Sequence, residues 1–163
     1  MHPTSIGNIV YNELELGSCK AMASVELLRR TGQDLKGLDV VVIGHSEIVG
    51  KPIAFLLMAE GATVTICHHM TKDVADHSRF ADAVFVAVGK PNLITADMLK
   101  SGATFIDIVI NRVKDDQGKS RIFGDSDFDS CSAKAGWIRP VPDKVAPQQF
   151  PTSCATLFQQ HKD

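Results

Sequence analysis

The sequence has little net charge, few cysteines and no long apolar run, and each shortage excludes a class of protein. Its 163 residues carry a formal net charge of -2, so nothing indicates a general electrostatic attraction to nucleic acid or to an anionic membrane. No apolar run approaches the ~20 residues of a membrane-spanning helix. The first three residues are followed by mixed polar sequence rather than by a signal peptide. We therefore expect no nucleic-acid partner and no membrane partner.

The four cysteines, at positions 19, 67, 131 and 154, form no Cys-x-x-Cys pair. This spacing argues against a structural zinc site, and the cysteines are too sparse for a small disulfide scaffold. Cys67 lies in an apolar, strand-like run, where a buried free thiol is expected. The pattern indicates a reducing compartment, so we expect a cytoplasmic protein without a bound metal.

The chain length fits one domain over 1–163, with a partly irregular N-terminal segment, 1–17, that shows no clear period. Ser18 then begins a helical pattern as a candidate N-cap. Apolar residues recur behind it at helical spacing, namely Ala21, Met22, Val25 and Leu28. Gly32 suits the left-handed end of this helix.

Apolar runs then alternate with helical segments, and they predict strands over 39–43, 62–67, 82–88 and 103–110. Pro52 fits the first turn of a helix that Gly61 ends. Thr71 and Thr95 are candidate caps of two short helices, the first reaching about Phe80 and the second closed by Gly102. Continuously apolar strands are typical of parallel sheets that are buried on both faces. The strand–helix order therefore predicts an α/β fold, a doubly wound parallel sheet with Rossmann-like α/β/α layers.

In such sheets ligands bind beyond the carboxyl ends of the strands, and the turn after the first strand is rich in glycine. It reads Gly-His-Ser-Glu-Ile-Val-Gly-Lys-Pro over 44–52. Gly44 permits a sharp turn, the Ser46 hydroxyl can bond a phosphate, and Gly50 allows close contact between helix and sheet. The following helix N-terminus suits a pyrophosphate. The motif departs from the dinucleotide fingerprint G-x-G-x-x-G, so an ordinary tight turn remains an alternative.

The end of the second strand bears on the choice of cofactor. NAD-binding folds usually place an acidic residue there, against the ribose 2′-hydroxyl, whereas this chain has Cys-His-His-Met-Thr over 67–71. A missing carboxylate removes a repulsion against a 2′-phosphate, which His45, His68 and His69 can face. NADP is slightly favoured and NAD remains open. The histidines can equally be polar turn residues, and His77 is expected at the surface.

Longer stretches resemble a known family. The run 35–52 is very similar to a nucleotide loop that usually reads G-R-S-x-I-V-G-x-P. The similarity continues in order through 62–68, Thr71, 87–91, 106–111, 124–125 and 140–142, and His2-Pro3 with Gly7 are similar to an upstream segment. Over nearly its whole length the chain resembles the C-terminal NAD(P)-binding domain of the methylenetetrahydrofolate dehydrogenase/methenyltetrahydrofolate cyclohydrolases.

The resemblance implies a cofactor site for NADP or NAD. It implies that residues 44–46 meet the cofactor phosphates and the adenosine ribose, that Ile110 lies beside the nicotinamide, and that the 87–89 turn lines the approach to the ring. The expected dinucleotide-binding residues are Gly44, His45, Ser46, Ile48, Val49, His68, Thr71, Val88, Gly89 and Ile110. Members of the family oxidise methylenetetrahydrofolate by hydride transfer, many then hydrolyse the methenyl product, and they commonly form homodimers through this domain.

Several departures bear on activity. The family's catalytic Tyr-x-x-x-Lys motif does not occur, so we assign no catalytic residue here and expect a separate catalytic domain or chain. His45 replaces an arginine, Val109 replaces a glycine, and Asp143 and Lys144 replace a glycine pair.

Two alternatives follow from these departures. The altered 143–147 loop favours a non-catalytic dinucleotide-binding module with a regulatory or interaction role. A dehydrogenase with a non-folate substrate would need an acid/base pair, and the sequence offers none that is convincing. Asp107, inside an apolar strand, is a candidate acid/base or a hydrogen-bond hub, and the hub is favoured.

Overall fold

The computed structural model describes residues 2–13, 18–114, 120–139 and 159–160. The helices are α1 (Pro3–Val10), α2 (Cys19–Arg30), α3 (Gly50–Ala59), α4 (Val74–Ser78) and α5 (Phe128–Ser132), with a 3-10 turn over Ala96–Met98. The strands are β1 (Asp39–Ile43), β2 (Thr63–Cys67), β3 (Ala83–Val86), β4 (Thr104–Asp107), β5 (Asn111–Lys114), β6 (Ser120–Phe123), β7 (Trp137–Ile138) and β8 (Gln159–Gln160). Over the described residues, no helix is long and apolar enough to cross a bilayer.

The main sheet has the strand order β2-β1-β3-β4-β7-β8. The first five of these strands are parallel to their neighbours, and β8 runs antiparallel to β7. The chain starts in the middle of the sheet, moves to one edge with β2, and returns past β1 to build the other side. The predicted doubly wound parallel sheet is confirmed. Strands β5 and β6 form a separate antiparallel hairpin, which the sequence analysis did not predict.

Helices cover both faces of the sheet, as the alternation of elements predicts. Val40 and Val42 face one core with helices α1, α2 and α3, whereas Val41 and Ile43 face a second core with α4 and α5. Both cores are needed because β1 and β3 are apolar on both faces. This confirms the three-layer arrangement.

The predicted helix ends are confirmed for α2 and α3 and corrected at Thr71 and Thr95. Ser18 caps α2 as predicted, by accepting a bond from the Ala21 N–H, and Gly32 and Gly61 adopt φ of +79° and +85°. Among the apolar residues that recur at helical spacing in α2, Met22 is 42% exposed, whereas the other three are buried. Thr71 does not cap α4; Asp73 does, since its carboxylate accepts from the second and third N–H groups of the turn. Thr95 precedes a 3-10 turn that ends well before Gly102, and its hydroxyl donates to the Asp97 side chain rather than capping a backbone N–H.

Two segments differ from expectation: the N-terminal segment and the end of strand β4. Residues 3–10 form a helix, because the His2 ring accepts the Thr4 N–H and Pro3 occupies the first helical position. Strand β4 ends at Asp107 rather than at 110, since the Asp107 carboxylate turns the chain by accepting the Val109 N–H. The altered 143–147 loop lies outside the described residues.

Candidate dinucleotide site

The carboxyl ends of four parallel strands meet at one edge of the sheet. Ile43 is in register with Cys67 on one side and with Val86 on the other, and Val86 is in register with Asp107. The turns that follow these four residues are therefore neighbours. They carry all ten residues that the resemblance places around a dinucleotide.

The turn after β1 is held tightly between its neighbours. The Gly44 N–H donates to the Cys67 carbonyl at 2.8 Å, and the Ala87 N–H donates to the Ile43 carbonyl at 2.8 Å. Gly44 has φ of +116°, and a Cβ there would lie 2.3 Å from the Ala87 oxygen. A Cβ on Gly50 would lie 1.9 Å from the Gly44 oxygen. Only glycine fits at 44 and 50, so the turn brings bare backbone to the N-terminus of α3.

Residues 45–48 of this turn are exposed to solvent, and Val49 is half-buried. The Ser46 oxygen accepts the Val49 N–H at 3.1 Å, which leaves its hydroxyl proton available to a phosphate. Ile48 is 59% exposed, and its carbonyl accepts a 2.6 Å bond from the buried Ser18 hydroxyl. The cap of α2 is thereby coupled to the turn, which fixes the backbone that a phosphate would meet.

Three imidazole rings converge beside this turn. The ring centroids of His45 and His68 are 4.8 Å apart, and His69 lies 6.1 Å from the first and 5.8 Å from the second. The Met70 N–H donates to Nδ1 of His68 at 3.1 Å. Because Nδ1 accepts that bond, the neutral His68 ring carries its proton on Nε2 and is a donor there. Thr71 anchors the segment through its Oγ1, which accepts the His68 N–H at 2.9 Å.

One nitrogen from each ring lies within 4.8 Å of the others, so the three side chains are close enough together to hold a metal ion or to face an anion. The hydrogen bond at His68 favours the anion. Metal binding at Nε2 of His68 needs the proton on Nδ1, where it would oppose the Met70 N–H. The spacing of the histidines in the sequence did not indicate that the three side chains meet.

The other half of the edge is organised by a buried carboxylate. One oxygen of Asp125 accepts the Val88 N–H at 2.7 Å and the Gly89 N–H at 2.8 Å. Its second oxygen accepts the Asn111 side-chain amide at 2.7 Å. Gly89 has φ of +79°, and this left-handed backbone directs both N–H groups to one acceptor. Ile110, at the end of this segment, is 39% exposed.

Asp107 holds the segment that carries Asp125. Its carboxylate accepts the Asp125 N–H at 2.6 Å, the Ser126 N–H at 3.1 Å and the Ser126 hydroxyl at 3.1 Å. Burial, and then the Asp125 charge, raise the pKa of Asp107 to about 6. The Arg139 guanidinium donates to the Asp107 backbone carbonyl. These contacts agree with the predicted role of a hydrogen-bond hub.

Sequence reasoning missed the partners of this hub. Asp125 and Asn111 lie inside the stretches 124–125 and 106–111 that are similar to the family, but the sequence predicted no role for them. It predicted none for Ser126 or Arg139 either. The sequence feature that could have predicted such partners is Asp107 itself, because a carboxylate inside an apolar strand needs hydrogen-bond donors. Two other expectations hold: Cys67 is a buried free cysteine whose pKa is raised by burial, and His77 is exposed.

A cavity among the described residues lies away from this edge. A cavity of about 290 Å³ is lined by Arg29, Gln33, Asp34, Leu35, Lys36 and Glu60. These residues lie before β1 and at the end of α3, at the opposite edge of the sheet. We place the site by chemistry, because glycine turns and open N–H groups in parallel sheets lie at the carboxyl edge.

Comparison with known proteins decides the family. A family model described as "Tetrahydrofolate dehydrogenase/cyclohydrolase, NAD(P)-binding domain" matches residues 18–161. The chain belongs to this family. Its cofactor is NADP or NAD, and the resemblance drawn from the sequence is confirmed.

Curated relatives in the dehydrogenase/cyclohydrolase family are about twice as long as this chain. Bifunctional protein FolD 2 of Mesorhizobium japonicum is 68% identical over 147 residues, which are 90% of this chain and 48% of that protein. Bifunctional protein FolD of Rhodobacter capsulatus is 63% identical over 147 residues, again 90% of this chain, and 49% of its own length. The chain therefore spans about half the length of these relatives.

Solved structures of the family share the fold. The bifunctional enzyme FolD of Campylobacter jejuni superposes with a TM-score of 0.82 at 40% identity, over 96% of this chain and 53% of its own. A Trypanosoma brucei methylenetetrahydrofolate dehydrogenase-cyclohydrolase, complexed with NADP cofactor and inhibitor, gives a TM-score of 0.82 at 38% identity, over 90% and 51%.

Proposed function

We propose that this chain is the cofactor half of a methylenetetrahydrofolate dehydrogenase/cyclohydrolase and forms a single domain over its length. It would hold NADP or NAD at the carboxyl edge of the sheet while a second domain or chain supplies folate binding and the catalytic lysine. The observation that carries this is the turn 44–50, where a Cβ on either glycine would enter backbone. That cradle, at a helix N-terminus and in a member of this family, fits a pyrophosphate.

The ten expected residues divide along the edge in the order of a dinucleotide. The adenosine half fits the surface of His45, Ser46, His68 and Thr71, with Ile48 and Val49 at the start of α3. The nicotinamide half fits Val88, Gly89 and Ile110, on the turns after β3 and β4. We assign these roles from the geometry of the turns together with the family's motif order.

In this proposal, the chain binds the dinucleotide and orients its nicotinamide ring. When bound, the nicotinamide supplies a hydride acceptor for methylenetetrahydrofolate. The 88–89 turn and Ile110 would contact one face of the nicotinamide ring. The rigid 44–50 turn would hold the phosphates at a fixed distance from that ring. Proton transfer and folate recognition belong to the half that this chain does not match.

The cofactor we favour is NADP. This edge carries His45, His68 and His69, and residues 67–71 include no carboxylate. The neutral His68 ring is a donor at Nε2, because its Nδ1 accepts the Met70 N–H. Protonation of His45 or His69 would add positive charge toward a 2′-phosphate. The Trypanosoma brucei relative was solved with NADP.

The first test is calorimetric titration of this chain with NADP+ and NAD+. We expect saturable binding that Gly44→Ala abolishes, because the new Cβ lies 2.3 Å from the Ala87 oxygen. Gly102→Ala is the matched control: Gly102 has a similar positive φ of +79° with open space around it, and it lies at the opposite edge. No binding of either dinucleotide to the folded wild-type chain would contradict the proposal.

The same titration tests the preference for NADP. His45→Gln should reduce the preference and His45→Arg should increase it, because a guanidinium is a permanent forked donor. His77→Gln, at an exposed histidine of α4, should leave it unchanged. An unchanged preference in both His45 variants would contradict the 2′-phosphate assignment.

Two further proposals follow from the resemblance. We place the protein in the cytoplasm, where thiols stay reduced; the three described cysteines are free. We also expect two copies to associate through this domain, which sedimentation of the isolated chain at several concentrations would test.

A further inference from the structure

The buried carboxylate of Asp125 connects two loops that are distant in sequence. It is fully buried. One of its oxygens bonds the backbone of the turn after β3, and the other bonds Asn111 after β4. The spacing of these two loops is therefore set by one side chain.

Three converging donors require a carboxylate at this position. An asparagine in the same place could still accept the N–H groups of Val88 and Gly89 with its carbonyl oxygen. Its NH2 group would then face the donating amide of Asn111, which would have to turn over to present its oxygen instead. Bonds to an ionised acceptor are also stronger than neutral ones.

The loops joined in this way carry the nicotinamide half of the proposed site. Val88 and Gly89 are themselves the donors to Asp125, and Ile110 directly precedes Asn111. We propose that Asp125 is a positioning residue that sets the affinity for the nicotinamide half of the cofactor, by fixing the 88–89 turn against the 110–111 segment. This rests on the proposed function, which places the nicotinamide between those loops.

The test compares a whole cofactor with its adenosine half. NADPH and 2′,5′-ADP are titrated into the wild-type chain and into Asp125→Asn. We expect NADPH to bind the variant at least about tenfold more weakly, on the scale of one lost charge-assisted bond in the site. The affinity for 2′,5′-ADP, which does not reach the 88–89 turn, should stay within about twofold. Asp129→Asn, an exposed aspartate in α5, is the matched control.

A donor swap separates positioning from folding. When Asp125→Asn is combined with Asn111→Asp, the amide introduced at position 125 can donate to the carboxylate introduced at position 111. The amide oxygen at position 125 still accepts both backbone N–H groups. We expect this double variant to recover NADPH affinity. Asn111→Ala, which removes only one of the three donors, should weaken NADPH less than Asp125→Asn, again with 2′,5′-ADP unaffected.

Each outcome decides the question. Equal loss of both ligands in Asp125→Asn, or unchanged NADPH affinity in that variant at matched melting temperature, overturns the positioning role. Failure of the donor swap to restore NADPH binding while Asn111→Ala is neutral also overturns it. A wild-type chain that binds neither ligand removes the proposed function and this inference with it. A wild-type chain that binds both equally well removes this inference alone.

Discussion

At the scale of single residues, Asp107 is a buried carboxylate whose ionisation destabilises the folded chain. Its carboxylate is fully buried, and burial together with the Asp125 charge raises its pKa to about 6. An unfolded aspartate titrates near 3.9, so the folded chain retains a proton that the unfolded chain has lost between about pH 4 and pH 6. This contribution to stability is present at low pH and is lost as the pH rises through about 6.

Asp107→Asn should therefore change the pH dependence of stability. In urea unfolding, the free energy of unfolding of the wild type should fall relative to this variant by about 2 kcal/mol between about pH 4.5 and 7.5. Other carboxylates titrate in both proteins and cancel in the difference. A difference that stays constant across this range would show that Asp107 is ionised throughout.

Residues differ in how far the sequence predicts them. Gly44 and Cys67 follow from local pattern, since a glycine after a buried strand and a thiol inside one have few alternatives. The convergence of His45 with the pair at 68–69 follows only from strand order, which places β2 beside β1. The role of Asp125 depends on a contact 36 to 37 residues away in the chain, and no local pattern contains it.

At the scale of elements, the first four strands were predictable because each is a short apolar run between clear turn residues. Their ends were not, as β4 shows: the apolar run continues to 110, but the strand ends where the Asp107 carboxylate captures a backbone N–H. The hairpin β5–β6 was missed because the sequence analysis assigned no strand pattern after 110. The helix at 3–10 was missed because its signal is a cap rather than a period.

The coupling of α2 to the 44–50 turn gives a test at this scale. Ser18 accepts the Ala21 N–H at the start of α2 and donates to the Ile48 carbonyl at 2.6 Å. Ser18→Ala should lower the free energy of unfolding by about 1–2 kcal/mol, because a cap and a second hydrogen bond are lost.

The control for this variant is Ser132→Ala, at a partly exposed serine whose hydroxyl bonds only a local carbonyl. It should change stability by less than about 0.5 kcal/mol. Equal losses in chemical denaturation of the two variants would show that the bond between α2 and the turn contributes nothing.

At the scale of the whole molecule, the chain corresponds to about half of its curated relatives. We expect a fusion of the amino-terminal half of the Mesorhizobium japonicum protein to this chain to oxidise methylenetetrahydrofolate with NADP+ or NAD+, whereas this chain alone does not. Reduced nicotinamide absorbance measures the reaction, and the same fusion carrying Gly44→Ala is the control. A fusion that binds cofactor without turnover would favour the alternative of a non-catalytic binding module.

The carboxylates of Asp107 and Asp125 also bear on the kinetics of the site. Loops are commonly the regions that open most readily and exchange their amide hydrogens fastest. Here the amides of Val88, Gly89, Asp125 and Ser126 are bonded to buried carboxylates, so their hydrogens should exchange as slowly as those of the adjoining strands. A cofactor arriving at this edge then meets loops that are already ordered. These loops lose little conformational entropy when the cofactor binds, and the cofactor associates without waiting for them to rearrange.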